Sequence, residues 1–594
     1  MPSLNRSFLL ALALLVLCVP SYAHAKKKVK VACIGDSITY GMRLEERERD
    51  CYPAQLQELL GEAYQVGNFG KNGATLLRHG HRPYFEQEEF RAAMDFAGDI
   101  VVIHLGINDT DPRNWPHFQQ EFVGDYLALI DSLRSVNPKA RFILARMTPI
   151  GHTHPRFWTG TKQYHTEIQQ AIEEVIRTAA RGKRSRVQAV DFYEPLYHYP
   201  WMVPDALHPT PEGAAFLAKA VYSAITGDYG GLRMPSWYSD DMVLPRGRTF
   251  PIRGMADAGE KVKVRLAGKT YRTVAGTDGK WEVTDGPFPP SLSTELMVRA
   301  GGKRLTFKNI SLGDIRLCSG QSNMEFELRQ STSAADAASA SDSGLRLLDL
   351  KARWRTDAVA WPASAVDSVQ HLQYLRTVPW AVSSPESAAR FSAVGYYFGR
   401  ALRDSLQVPI GLICNSVGGS TAESWVDREY LETQYPEILP DWLDNELIME
   451  WARGRARLNL SQGRGSRHPY EPAYLWESAI LPLKDCPLTG VIWYQGESNA
   501  ENIPSHEKLF PLLIDSWRAL FGDIPFYYAQ LSYMERPTWP AFRASQAGLE
   551  HCRPGLGMVQ TLDLGEAYEV HYPNKKPVGE RLAALALARF YHAK

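Results

Sequence analysis

Two short stretches of the chain end an apolar run in a displayed serine. "VACIGDSITYGM", residues 31–42, carries Ser37 after Gly-Asp, and "IRLCSGQSNMEF", residues 315–326, carries Ser322 between Gln321 and Asn323. A serine hydroxyl is a weak nucleophile and needs a base within hydrogen-bond reach. For Ser37 the candidate base lies in "VPDALHPTPEG", where Asp205 and His208 stand three residues apart ahead of a helical segment. That spacing lets one short loop present the imidazole while the carboxylate binds its other nitrogen, the orientation logic of a Ser-His-Asp triad. Between these pieces, "VGNFGKNGATLL" offers Gly73 and "HLGINDTDP" offers Asn108. A backbone N–H at a glycine turn and an asparagine amide are the donor types an oxyanion needs.

The surroundings of Ser322 follow the same order with different parts. "NSVGGSTAESW", residues 415–425, sets Gly418 and Gly419 after a strand-like run, where they offer backbone donors. "WYQGESNA", residues 493–500, sets the amide of Gln495 after the next run. "VHYPNKKPVGERLA" places His571 just before the final helix, as His208 is placed in the first set.

These residues need strands to display them. In residues 27–227, "KVKVACIG" and "DIVVIHLG" are short apolar runs ending in Gly, which suits parallel strands buried on both faces. "TKQYHTEIQQAIEEVIRTAARG" has helical spacing and a glycine stop, and "RVQAVDFYEPL" reads as a further strand. From 228 to 310 short alternating stretches separated by turn signals predict a small antiparallel β-sandwich. From 311 to 594 the α/β texture returns, with strands in "GDIRLCSG", "IGLICNSVGG", "TGVIWYQGES" and "PFYYAQL" and a terminal helix in "GERLAALALARFYH".

At this point a resemblance enters. The blocks around Ser37, Gly73, Asn108 and Asp205–His208 resemble those of the SGNH (GDSL-type) hydrolases, over residues 30–215. The resemblance implies Ser37 as nucleophile, Asp205 and His208 completing the triad, and Gly73 and Asn108 as oxyanion donors beside the Ser37 amide. Residues 235–594 resemble the sialate O-acetylesterase family, a divergent branch of the same superfamily. "DDMVLPRG" and "DGKWEV" look like that family's β insert, and "FSAVGYYFGRAL" like the helix that follows it. Here the resemblance implies Ser322 as nucleophile, His571 as base, and Gly419 or its neighbour and Gln495 as oxyanion donors. A D-x-x-H pattern would put the acid at position 568, which is Tyr568. Asp563, at the end of the "MVQTLD" strand, and Glu569, two before the histidine, are the alternatives, and Asp563 is preferred because a strand-end carboxylate is better fixed. A Ser-His dyad oriented by a backbone carbonyl is the third arrangement. The expected fold is two SGNH-hydrolase-like (flavodoxin-like, three-layer) α/β domains, 26–227 and 311–594, with a small β-sandwich, 228–310, between them.

Composition bounds the rest. The chain has 594 residues and a formal net charge of zero, so no field steers it toward nucleic acid or an anionic membrane. Arg6, the apolar "FLLALALLVLCVP" and "AHA" at 23–25 read as a signal peptide over residues 1–25, predicting export to periplasm or medium. No later stretch reads as membrane-spanning. Six further cysteines lack metal-like spacing and read as buried thiols, although export permits disulfides. "HGH" at 79–81 and "HTH" at 152–154 lack a third ligand and read as surface loops. Arg543 and Gln546 in "FRASQAG" are candidates to meet a sugar carboxylate, with an ordinary helix surface as the alternative. No metal or organic cofactor is implied. The expected activity is removal of O-acetyl groups from sialic acid, free or on a glycan, at the 9-O position. A polysaccharide acetylesterase such as an acetylxylan esterase is the alternative, as is a chain in which one domain only binds glycan.

Overall fold

The computed structural model describes residues 27–181, 186–463, 465 and 467–592. The expected signal segment, 1–25, lies outside the described residues. Two compact units emerge: 1–147 with 163–191 and 208–221, and 148–162 with 192–207 and 222–594.

The first unit is built on one parallel sheet. Its strands are β1 (Val29–Gly35), β2 (Tyr64–Gly70), β3 (Ile100–His104), β4 (Arg141–Ala145) and β5 (Val187–Val190), in the order β2-β1-β3-β4-β5. β1 lies parallel to both β2 and β3, so the chain reverses its direction of growth at β1. The carboxyl ends of the strands at such a switch point open a crevice, and Ser37 stands two residues beyond β1. Residues 31–35 and all of β3 are buried, as a strand covered on both faces requires. The segment read as a helix from its spacing forms one over Thr161–Ala179, and the segment after His208 forms Pro211–Thr226.

In the second unit, short strands come first: β6 (Val243–Pro245), β7 (Phe250–Met255), β8 (Lys261–Leu266), β9 (Lys269–Val274), β10 (Lys280–Asp285) and β11 (Ser291–Ala300). β8 and β10 alternate exposed and buried residues, the signature of a sheet with one face on a core. β12 (Lys303–Gly320) then runs for 18 residues, straight through position 310 where the texture of the sequence changes. Its first half pairs antiparallel with β11 and its second half lies parallel between two later strands. The change of texture thus records a change of neighbours along a single strand: residues 303–309 are exposed or half-buried, and every residue from Ile310 to Gly320 is buried.

The remaining strands are β13 (Asp342–Asp349), β14 (Ala381–Ser383), β15 (Ile410–Cys414), β16 (Gly490–Tyr494), β17 (Phe526–Ala529) and β18 (Leu556–Val559). With the second half of β12 they form a sheet in the order β14-β13-β15-β12-β16-β17-β18, parallel except for β14. β12 holds the place here that β1 holds in the first sheet, between β15 and β16, and Ser322 follows it by two residues. The closing helix spans Lys576–Arg589. The six cysteines among the described residues are free thiols, five of them buried. Among the described residues no helix is long and apolar enough to cross a membrane.

Candidate active sites

In the first unit, the Asp36 carboxylate caps the four-residue helix Ser37–Tyr40 by accepting the Ile38 N–H at 2.9 Å, which turns the chain sharply out of β1. The Ser37 hydroxyl then stands 2.9 Å from His208 Nε2. The loop after β2 is tied to this turn through the backbone, and the loop after β3 is tied to the β2 loop by a side chain. The Lys71 N–H donates to the Gly35 carbonyl at 2.9 Å, and the Asn108 amide donates to the Ala74 carbonyl at 3.0 Å. Gly73 lies in that bracket with φ +75, a conformation glycine adopts without strain. Among the described residues no partner engages the Ser37 or Gly73 N–H, so both remain available as donors. Asn108 retains one amide hydrogen beyond its bond to Ala74. Asp205 stands in the loop before His208, its Oδ1 accepting the Leu207 N–H at 3.1 Å. Ala206 between them adopts φ +63.

The neighbour of Asn108 does the bracing. Asp109 is fully buried and accepts the Leu76 and Leu77 N–H groups at 2.9 Å each, locking the β3 loop to the β2 loop. Burial pushes its carboxyl up to about 7, against the pull of those two donors.

In the second unit the Ser322 hydroxyl stands 2.9 Å from His571 Nε2. The preceding Gln321 fixes this turn from both sides: its N–H donates to the Tyr494 carbonyl, and its side-chain oxygen accepts from Gly496 and Ser498 at 3.3 Å each. A Cβ built on Gly418 would lie 3.7 Å from the Ser322 Cβ, so the Gly418–Gly419 turn abuts Ser322. The Gly418 N–H is spent on the Glu325 carboxylate at 2.8 Å. The Gly419 N–H has no partner among the described residues and stays available as a donor, in a turn of φ +71.

Two expectations are corrected here. Gln495 is buried, and its amide donates to the Ser420 carbonyl at 3.3 Å and to Asn499 Oδ1 at 2.6 Å. Both amide hydrogens are consumed in bracing the 420 loop, so Gln495 is no oxyanion donor in this arrangement. Asp563 is exposed and chelated by Arg581, at 2.7 Å to Nη1 and 2.5 Å to Nη2, and makes no hydrogen bond to His571 among the described residues. Glu569 reaches the histidine only through the backbone, accepting the His571 N–H at 2.7 Å. Tyr568, at the position a D-x-x-H acid would fill, is 84% exposed. Among the described residues no carboxylate pairs with the His571 ring. Burial, and after it the nearby Lys575 charge, hold the imidazole below its ordinary pKa, while Glu569 pulls the other way.

What fixes the His571 loop is a set of residues that sequence reasoning did not single out. The buried Asn323 amide donates to the Val570 carbonyl at 3.0 Å, one residue before His571, and to the Glu497 carboxylate. Lys575 Nζ donates to the Asn323 side-chain oxygen. Lys575 also lies over the rings of Phe326 and Tyr494, 5.1 and 5.8 Å from their centroids, and burial brings it down to about 8. All three sit inside stretches already conspicuous, "GQSNM", "YQGES" and "PNKKP"; chain order alone does not reveal that they meet.

The other sequence candidates resolve into packing. Gln546 is buried, accepting the Leu531 N–H and donating to the Gln495 carbonyl, and the Arg543 guanidinium points to the Ser532 carbonyl. His79 pairs with Glu121 at 2.7 Å, and His152 is held down to about 3 by burial.

A serine, an imidazole at 2.9 Å and unengaged glycine N–H groups, set at the carboxyl end of a parallel sheet, are the parts that acyl transfer to a serine requires, and the arrangement occurs twice in this chain. Family models divide the chain accordingly. Residues 33–216 match the GDSL-like lipase/acylhydrolase family, and residues 312–588 match the carbohydrate esterase family of sialic acid-specific acetylesterases. Sialate O-acetylesterase of Mus musculus is 31% identical over 392 residues, which cover 58% of this chain and 66% of the mouse protein. The Homo sapiens protein of that name is 30% identical over 49% of this chain and 54% of its own. The matches therefore span between half and two thirds of those relatives' length. An acetylxylan esterase of Xylanibacter ruminicola is 33% identical over 34% of this chain and 44% of its own. Among solved structures, a carbohydrate acetylesterase from Xanthomonas citri matches with a TM-score of 0.50 at 28% identity, over 61% of this chain and 76% of that one.

Proposed function

We propose that the chain is an exported two-centre carbohydrate esterase that removes O-acetyl groups from sialic acids, the 9-O-acetyl group foremost, by acyl-enzyme hydrolysis. The observation that carries this reading is the pair of Ser–His contacts of 2.9 Å, each beside a free backbone donor. In each centre the serine oxygen attacks the acetyl carbonyl carbon as the histidine Nε2 takes the hydroxyl proton. The carbonyl oxygen becomes an oxyanion within reach of the glycine N–H, with the Ser37 N–H and the Asn108 amide adding to Gly73 in the first centre. Collapse expels the sugar oxygen, which leaves with the proton held on the histidine, and acetate remains as an ester on the serine. Water, deprotonated by the same histidine, attacks that ester and releases acetate and the free serine.

The sialate reading draws support from the family model over 312–588 and from the sialate O-acetylesterases. The acetylxylan esterase match favours a second reading, a polysaccharide acetylesterase. The test is acetate release from 9-O-acetylated sialic acid and from acetylated xylan by Ser37→Ala, Ser322→Ala and the double variant. Each single variant is expected to lose one centre's share and the double variant all of it. Activity persisting in the double variant refutes the mechanism, and a preference for xylan refutes the substrate. Appearance of the chain in the periplasm or medium tests export.

A further inference from the structure

Near the Gly418–Gly419 turn some arginines meet carboxylates and others meet none among the described residues. The helix Glu450–Leu460 carries three arginines. Arg453 pairs with Glu450 at 2.9 Å, and Arg457 pairs with Asp444 at 2.9 Å and Glu450 at 3.0 Å. Arg455, between them, meets no carboxylate among the described residues. Its guanidinium lies 5.1 Å from the centroid of the Trp451 ring, and its Nη1 donates to the Thr356 carbonyl at 2.5 Å. Both neighbours lead to the nucleophile. Thr356 Oγ donates to the Gly418 carbonyl at 2.9 Å, and Trp451 comes within 2.6 Å of where a Gly419 Cβ would stand. Trp451 is itself 44% exposed, whereas Trp425, Trp493 and Trp517 are buried.

A second guanidinium joins it. Arg355 precedes Thr356, is exposed, and likewise meets no carboxylate among the described residues. Its charge falls on Glu325, the carboxylate that holds the Gly418 N–H. An arginine held on an aromatic ring and a carbonyl, with donors left over, is pre-organised for a planar anion, since little side-chain freedom remains to be lost.

We propose that Arg455 and Arg355, with the Trp451 edge, form the sugar subsite of the Ser322 centre and take the carboxylate of an acidic sugar whose acetyl group reaches Ser322. This rests on the esterase reading of that centre and names the residues that would select a carboxylate-bearing sugar there over a neutral one.

The test uses the full chain carrying Ser37→Ala, so that only the second centre acts. Acetate release is measured on 9-O-acetylated sialic acid and on its methyl ester, which has the same shape without the charge. The ratio of kcat/KM between the two is compared for this parent and for Arg455→Gln and Arg355→Gln built on it. A ratio does not depend on how much of each variant is folded. A charge-assisted hydrogen bond corresponds to roughly 10- to 100-fold, so each variant is expected to lower the ratio by about that factor, mainly through KM. A ratio within about twofold of the parent in both variants overturns the subsite while leaving the esterase reading intact. A parent that releases acetate from neither ester overturns both.

Discussion

Lys575→Met tests how the second centre works without a carboxylate at its histidine. Lys575 is buried, donates to Asn323, and through Asn323 steadies the Val570 carbonyl next to His571. Methionine keeps the length and apolar contacts of the side chain but removes the donor and the charge. Losing a hydrogen bond from a charged donor in a buried site costs about 1.5–3 kcal/mol. A test of position alone would stop at stability, but the charge makes a sharper demand. Its positive field helps hold the His571 imidazole below its ordinary pKa, and the imidazole must be neutral to accept the serine proton. Removing it raises the imidazole pKa, so the acid limb of kcat/KM moves to higher pH. Because Lys575 itself titrates at about 8, the gap between parent and variant is widest below that pH and closes above it. The assay is acetate release across pH in the Ser37→Ala background, with Lys575→Arg as the control that keeps the charge. An acid limb that stays in place, or moves down, in Lys575→Met refutes the reasoning. So does a Lys575→Arg variant that behaves like methionine.

Other consequences follow from the same geometry. Asp563→Asn removes only an exposed pair with Arg581, so acetate release by the second centre stays at the parent level; a collapse of kcat would restore Asp563 as the acid. Gly419→Ala drives a Cβ against the Tyr470 hydroxyl and to 2.6 Å from the Trp451 ring at φ +71, shifting an unengaged donor beside Ser322, and kcat of that centre falls by about 10²–10³-fold with KM less affected. Asp109 carries its carboxyl at about 7 in the fold, above its unfolded value. Its contribution to stability is therefore full below the ordinary carboxylate range and is lost as pH rises through about 7. Denaturant titrations of Asp109→Asn should lack that part of the pH slope, and an unchanged slope would show that Asp109 is ionised throughout.

Much of the first centre is readable along the chain, because each of its parts closes a strand. Glycine, aspartate and serine after a buried run can only turn outward, and a D-x-x-H loop ahead of a helix fixes where the imidazole starts. The sheet texture is readable for the same reason: strands covered on both faces must be apolar throughout, and those with one wet face must alternate. The long β12 was legible only as two elements, since its residue pattern changes where its neighbours change.

The second centre divides differently. Ser322 and His571 stand in places that residue types and order determine, at a strand end and before the last helix, and the fold brings them to 2.9 Å. The partners of those two residues were decided by tertiary structure alone. Whether Gln495 donates to an oxyanion or to Ser420 depends on where a loop 75 residues away is held. Asp563 lies only eight residues from His571 yet faces Arg581, while Asn323, some 250 residues distant, holds the histidine's loop. A hydrogen bond is decided over about 3 Å, and separation along a chain says nothing about distances of that size once strands cross. Residue types and order therefore single out the serine and the histidine that meet, and the packing of β12 against β16 and the closing helix decides what holds them.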